Sequence, residues 1–427
     1  MRRWLGLVLA CLGLLAALPA SAQSPTDTPF ARASAQLPDV LSGKTKAEAY
    51  FAPGFLAQIP PEQIALIARQ IEAQNGKLRG VERLLPETPF NGEVELGYER
   101  SVVRVQLVVA ADPPHLVIGL LVTAVRPRND SADKLISDVR ALKGEASLLV
   151  QRLDAAEKPL LAVNPDAQLA IGSTFKLWLL AEAARQVRAG ERKWSDVIPL
   201  GPPALQSGMT QDWPKLAPMT LHSLATLMIS ISDNTATDTL LRALGRDRVD
   251  AMVERIGHSD PARTLPVLTT IQAFALKMPS AGDLRSGWAR GSVADRRRLL
   301  DSAVTRLDLG AIDRTRFGGG PLFIDSIEWF ASASDLARTM DWLRREAGRD
   351  ALDILAVNVP LPSGEKARFA YSGYKGGSET GVFSMTFLFQ SRAGGWYAVA
   401  GSWNNIPEAV DDKRFEALVQ RAVLLVP

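Results

Sequence analysis

The chain is nearly without cysteine: of its 427 residues only Cys11 carries a thiol, and it falls in the first apolar stretch. Histidine is almost as scarce, and His115, His222 and His258 stand at no ligand spacing, so a zinc site built on several histidines has no donors. Neither sign of charge dominates, since 49 Lys and Arg face 46 Asp and Glu, and a nucleic-acid partner has no electrostatic footprint to meet. Past the N-terminus no apolar run approaches the roughly 20 residues of a membrane span. There is no G-x-S-x-G elbow, no P-loop, no internal repeat and no low-complexity tract. Those absences set aside α/β-hydrolase, nucleotide-binding, zinc-hydrolase and nucleic-acid readings. The hydrophobic share of 47% is that of an ordinary globular protein, which excludes wholesale disorder.

What is present begins with a leader. Arg2 and Arg3 precede an apolar stretch from Trp4 to Leu18, followed by Pro19 and the small-residue site Ala20-Ser21-Ala22 before Gln23. Residues 1–22 therefore read as a secretory signal peptide, too short in its apolar part for a transmembrane helix. Cleavage after Ala22 takes Cys11 with it, so the mature chain has no disulfide, thiolate nucleophile or Cys metal ligand. The expectation is a periplasmic or secreted protein with no integral membrane span.

Residues 23–130 read as a small α+β domain. Pro60-Pro61-Glu62 opens a helix with Ile64, Ile67 and Ile71 on one face, and Asn75-Gly76 ends it. Three strands follow. Val94, Leu96 and Tyr98 alternate with Glu93, Glu95 and Glu99; Val103, Val105, Leu107 and Val109 alternate with Arg104 and Gln106; Leu116 to Val125 is more continuously apolar. Arg126 to Ser131 is the linker candidate. From 131 to 427 the pattern resets: strands at Ala146–Arg152 and Leu160–Val163, helices over about 173–190, 220–245 and 246–257, and a capping box at Ser332-x-x-Asp335. Strands return at 381–390 and 396–403 before a last helix from about Pro407 to Val426. Strands first and last imply one antiparallel sheet assembled from both ends of the domain, with helices on both sides, so the fold class is α+β. The arginines among Asp295 to Arg298 read as a solvated helix face.

Three motifs in this domain carry chemistry. Ser173-Thr174-Phe175-Lys176 precedes a long apolar helix, and residues three apart share a helix face. A serine hydroxyl needs a base to become a nucleophile. Lysine, with an ordinary pKa of ~10.4, becomes one only where burial and the positive end of the helix disfavour its ammonium form. Ser232-Asp233-Asn234 offers a hydroxyl for proton relay and an amide for a substrate contact. Tyr374-Lys375-Gly376-Gly377-Ser378, at the start of a terminal strand, offers a cation and glycines that admit a substrate backbone. Taken singly, each reads as a capped helix start, a polar break between helices, or a glycine-rich turn.

Taken in order, S-x-x-K, S-D-N and K-x-G resemble the signature of class A β-lactamases and penicillin-binding proteins. The resemblance extends over flanking segments, Ile171–Leu180, Thr220–Leu241 and Pro266–Leu276, and covers roughly residues 135–427. It implies a β-lactamase/transpeptidase-like fold, with Ser173 as the acylated nucleophile and Lys176 as its proton acceptor or relay. Ser232 is then the proton shuttle to the leaving group, Asn234 a substrate amide contact and Lys375 the strand-borne cation. Gly377 and Ser378 belong to the substrate-binding strand, with the N–H groups of Ser173 and Ser378 as oxyanion hole. No metal or cofactor is called for. A small α+β domain ahead of such a domain is similar to the serine hydrolase-like proteins of clavulanic acid biosynthesis, whose N-terminal domain is similar to the steroid-isomerase (cystatin-like) fold.

The resemblance breaks at two places. Gly376 stands where the family has Thr or Ser, which removes a hydroxyl for the β-lactam carboxylate and leaves Ser378 as a partial substitute. The family's water-activating Ω-loop glutamate, in an E-x-x-[LN]-N context, is not seen; Glu328 is the only glutamate between Lys277 and Ser332. It and Asp325 are assigned structural roles at the end of that loop, with Glu328 as the alternative base. The stretch from Pro279 to Phe323 is longer than a compact enzyme needs and implies a remodelled cleft rim. The expected function is acyl transfer on a β-lactam, ester or peptidoglycan-like small molecule, with deacylation slower than acylation. The alternatives are a D-alanyl-D-alanine carboxypeptidase or esterase, and a non-catalytic binder of cell-wall fragments.

Overall fold

Residues 27–427 are described by a computed structural model, and the signal-peptide reading of residues 1–22 lies outside the described residues. The chain divides into two units, one ending at Arg128 and the other beginning at Asn129.

In the first unit Thr28 accepts a hydrogen bond from the Ala31 N–H and starts a helix over Pro29–Leu41. The helix expected at Pro61 runs over Pro61–Asn75 and stops at Gly76, whose φ of 79° suits glycine. A four-stranded antiparallel meander follows: Leu78–Thr88, Asn91–Tyr98, Ser101–Val109 and Val117–Pro127. The first of these strands carries Gly80, Pro86 and mixed charges, so no alternation announces it. Val94, Leu96 and Tyr98 enter the core with Val103, Val105 and Leu107, as their spacing requires. Glu93 and Glu95 depart from the alternation, because they too are buried. Arg104, opposite Glu95 in the ladder, pairs with it at 2.6 Å and approaches Glu93 at 3.8 Å, so a charge cluster stands where water was expected.

The second unit is built on a five-stranded antiparallel sheet. Its order is Phe369–Glu379, Val382–Ser391, Trp396–Asn404, Glu145–Arg152, Leu161–Val163. The last three strands to form in sequence thus pair with the first two, which is the arrangement expected from both ends of the domain. Alternate residues divide the sheet between two cores. Leu148, Val150, Phe387 and Val399 pack with the helices Ala132–Arg140 and Asp412–Val423. Leu149, Leu388, Ala398 and Ala400 face the larger core, where helices Lys176–Arg188 and Ala333–Glu346 lie. Arg421 of the last helix holds both Asp130 and Asp138 at 2.5–2.7 Å, fastening the start of this unit to its end.

Several local expectations change. The helical stretch 220–245 is two helices, Leu221–Ser230 and Asn234–Leu244, broken at Ser232 by a left-handed φ of 59°. The Lys375 motif lies in the second half of its strand, not at its start. Of the arginines in the helix Val293–Ser302, only Arg298 fits a solvated face. Arg296 donates to the carbonyls of Trp288, Ala262 and Leu265, and Arg297 pairs with Asp250. His258 is buried, its Nε2 2.9 Å from the Phe330 carbonyl. The capping box of Ser332 and Asp335 forms with both reciprocal bonds.

Candidate active site

The serine motif sits on a turn clamped from two sides. Leu169–Ala170 pairs with Phe330–Ala331, and the Ile171 N–H continues that ladder by donating to the Trp329 carbonyl at 2.9 Å. Asn404 grips both backbone groups of Ala170, at 2.7 and 2.9 Å. The chain then turns through a 3₁₀ stretch, Gly172–Phe175, into the helix Lys176–Arg188. Trp329 stacks flat on Phe175 with ring centroids 3.9 Å apart, fixing the turn against the wall of the cleft.

The edge strand Phe369–Glu379 closes on this turn, and its second motif glycine explains how. A Cβ built on Gly377 would stand 2.2 Å from the Ile171 carbonyl oxygen, 2.4 Å from Ser173 N and 2.7 Å from Thr174 N. Conversely, a Cβ on Gly172 would lie 3.1 Å from Ser378 N. The backbone nitrogens of Ser173 and Ser378 therefore flank one close junction. Gly377 thus admits the close approach of the serine turn.

Lys176 is wholly buried and bonded to the second motif: 2.7 Å to the Ser232 carbonyl, 3.0 Å to Ser232 Oγ and 2.8 Å to Asn234 Oδ1. Burial, and next the positive charge of Lys375, hold its pKa well below the ordinary lysine value. A neutral amine has two donors and one lone pair, which suits two carbonyl oxygens and a hydroxyl that is free to donate. No hydrogen bond joins Lys176 Nζ to Ser173 Oγ. Proton transfer between them requires the amine to turn toward Ser173, in keeping with catalytic contacts that tighten only when substrate is bound. Lys375 Nζ lies 3.1 Å from Ser232 Oγ and 2.5 Å from the Gly376 carbonyl, and burial pushes its pKa down to about 7. Ser232 Oγ thus stands between two amines. Asn234 also donates to the Leu205 carbonyl at 3.2 Å, which leaves one Nδ2 proton for a ligand.

Asp233 had no role in the sequence reading. It is fully buried and accepts from the N–H groups of Ala236, Met209 and Thr210 and from the Thr210 hydroxyl, at 2.6–2.9 Å. It caps the helix Asn234–Leu244 and ties the 209–210 loop to the Ser232 turn. That explains why an acid separates the two functional residues of this motif.

Ser173, Ser232, Asn234, Gly377 and Ser378 line one cavity of about 280 Å³; Lys176 and Lys375 support it from beneath through Ser232. Glu328 and Glu379 are in its wall as well. Lys277 lies between them, 2.7 Å from Glu328 and 2.5 Å from Glu379. Burial first, and then the charge of Glu328, raise the Glu379 pKa to about 8. Burial alone would lower Lys277, but the two carboxylates raise it. Glu328 is therefore more than a loop-end residue: it faces the cleft, engaged with an ammonium. Asp325 is exposed and, among the described residues, accepts a hydrogen bond only from Ser326. The long segment 279–323 contributes Arg314, Phe317 and Leu322 to a second cavity of about 340 Å³, which shares Gln206, Phe274 and Glu379 with the first. No group of His, Cys, Asp and Glu suited to a metal ion occurs among the described residues, and none of their helices is long and apolar enough to cross a membrane.

No curated protein sequence matches the chain at a significant level. Among solved structures, the β-lactamase from Sphaerobacter thermophilus DSM 20745 is 23% identical, with 69% of this chain and 97% of that chain covered and a TM-score of 0.48. PBP-A is 17% identical, with 69% and 93% covered and a TM-score of 0.47. The ancestral (GNCA) class A β-lactamase is 18% identical, with 69% and 98% covered and a TM-score of 0.47. The profile of the Beta-lactamase enzyme family matches residues 109–359, more than half of the sequence, and the chain belongs to that family.

Proposed function

We propose that the protein is an exported serine hydrolase that transfers the acyl group of a β-lactam, or of a related cyclic amide or ester, to Ser173. The observation that carries this reading is the convergence of Ser173, Ser232 and Asn234 on one cavity above the buried Lys176, whose pKa burial holds well below the ordinary lysine value. In the proposed step Ser173 Oγ bonds to the substrate carbonyl carbon while its proton passes to Lys176. The N–H groups of Ser173 and Ser378 hold the oxyanion, and Ser232, between Lys176 and Lys375, returns the proton to the leaving nitrogen as the C–N bond breaks. A binder of cell-wall fragments has no need of a desolvated amine beside a serine, and this disfavours the non-catalytic alternative.

Slow release of the acyl group is part of the proposal. Of the carboxylates in the cavity wall, Glu328 is engaged by Lys277 rather than held toward a water, and Glu379 shares the same ammonium. We also read the N-terminal unit as cystatin-like, a reading its helices and four-stranded meander support. Export rests on the leader sequence.

The test is covalent labelling. A fluorophosphonate is expected to phosphonylate the wild-type protein once, at Ser173, with loss of fluoride, adding the probe's mass less HF, and Ser173→Ala is expected to remain unmodified. Labelling that persists in Ser173→Ala, or a wild-type protein inert to such probes, contradicts the assignment.

A further inference from the structure

Gly376 leaves the third motif without a hydroxyl, yet the space its side chain would fill is occupied. A Cβ on Gly376 would stand 2.1 Å from Tyr374 Oη and 2.8 Å from Tyr374 Cζ. Residues two apart on a strand share a face. Tyr374 lays its ring along the strand, packed on Phe387 with centroids 4.6 Å apart, and carries its hydroxyl to the point from which residue 376 would project. The ring lines the same cavity as Ser173, Ser232 and Ser378.

Tyr50 donates to the Ala33 carbonyl and Tyr371 to the Leu352 carbonyl, whereas the hydroxyls of Tyr98, Tyr374 and Tyr397 make no hydrogen bond among the described residues. Of these three, Tyr374 lines the cavity of Ser173. Burial holds its pKa above the ordinary value, so it keeps its proton and remains a donor. The following residue, Lys375, has its Nζ hydrogen-bonded to the Ser232 hydroxyl and the Gly376 carbonyl, and no carboxylate pairs with it among the described residues. Two donors thus flank Gly376, and neither has an anionic partner. Anions are bound most strongly by such charge-assisted donor sets.

We propose that Tyr374 supplies the hydroxyl that binds a carboxylate of the substrate beside Lys375, from two residues upstream of the position where the motif usually carries it. The inference rests on the serine hydrolase reading and deepens it: the substrate bears a carboxylate close to the amide that acylates Ser173. The ring of a β-lactam and the C-terminus of a D-alanyl-D-alanine peptide both present that chemistry. Gly376 is then a requirement of the tyrosine, since any larger residue collides with Oη.

The experiment measures acylation rate constants for benzylpenicillin and for an acyl-D-alanyl-D-alanine peptide, each as the free carboxylate and as its methyl ester. The readout is the ratio of free acid to ester. Tyr374→Phe keeps the ring on Phe387 and removes only the hydroxyl; it is expected to lower that ratio roughly tenfold, the scale of one hydrogen bond to a charged group. Tyr374→Ala/Gly376→Thr, which clears the space and restores a hydroxyl at the motif position, is expected to recover most of the ratio lost in Tyr374→Ala. The substrate that shows the effect identifies the source of the carboxylate. An unchanged ratio in Tyr374→Phe, or acid and ester slowed alike, overturns the proposal and leaves the hydrolase reading standing. So does a protein that reacts with fluorophosphonate but with neither carboxylate substrate. A wild-type protein inert to fluorophosphonate overturns both.

Discussion

Glu328 and Glu379 share one ammonium, Lys277, and burial disfavours a second negative charge there. With the Glu379 pKa raised to about 8 in the folded chain and near 4.5 when unfolded, the native state holds a proton between those limits that the unfolded state has lost. Stability from this group is therefore complete below about pH 4.5 and declines as pH rises toward 8. Glu379→Gln removes the ionisation. We expect it to flatten the fall in unfolding free energy between pH 5 and 8 and to stabilise the protein at pH 8 by on the order of 1–3 kcal/mol. Urea unfolding of both proteins at the two pH values checks this; a variant less stable at pH 8 contradicts it. At this scale the sequence is most legible where function is written in consecutive residues, as in Ser173–Lys176 and Ser232–Asn234. Asp233, Glu379 and Tyr374 were not legible in the same way. Their roles depend on which backbone or cavity a side chain reaches after folding, and nothing local to the chain states that.

Among the elements, the junction between the edge strand and the serine turn decides whether the site exists. Three backbone atoms lie within 2.7 Å of the point where a Gly377 side chain would begin, and backbone cannot rotate aside as a flexible side chain can. Gly377→Ala must push the strand away from Ser173 N. We expect it to slow acylation of Ser173 by about 100-fold, the effect of displacing reacting groups by ~1 Å, while the protein still unfolds cooperatively. Fluorophosphonate labelling rates measure this, and a variant that labels at the wild-type rate refutes the packing argument. The same scale shows where pattern reading fails. The sequence reads as helical over 220–245 with no more than a polar break at Ser232-Asp233-Asn234, and it does not state that a left-handed φ at this one serine makes the break and turns the hydroxyl toward Lys176. Such strain is held by the bonds to Asp233 that surround it. Likewise, alternation along Asn91–Tyr98 assigns the glutamates to water, and Arg104 from the next strand reverses that for Glu93 and Glu95.

The whole second unit follows from a simple topological fact that the sequence did convey: its sheet is closed by strands from both ends, so the edge strand returns to the first motif's turn. The extra segment 279–323 was legible only as excess length. Its contribution to a second cavity beside the first depends on how Arg314, Phe317 and Leu322 are carried back over Phe274. The central claim joins all of this into one chemical event, rapid bonding of an acyl group to Ser173 followed by slow release. Time-resolved intact-mass spectrometry with benzylpenicillin reads both halves at once. The account predicts that the mass of the intact drug appears on the wild-type protein within the first turnover, stays for many times the acylation half-time, and is missing in Ser173→Ala. Penicillin hydrolysed in a steady linear course with no adduct detected, or an adduct on Ser173→Ala, would contradict it.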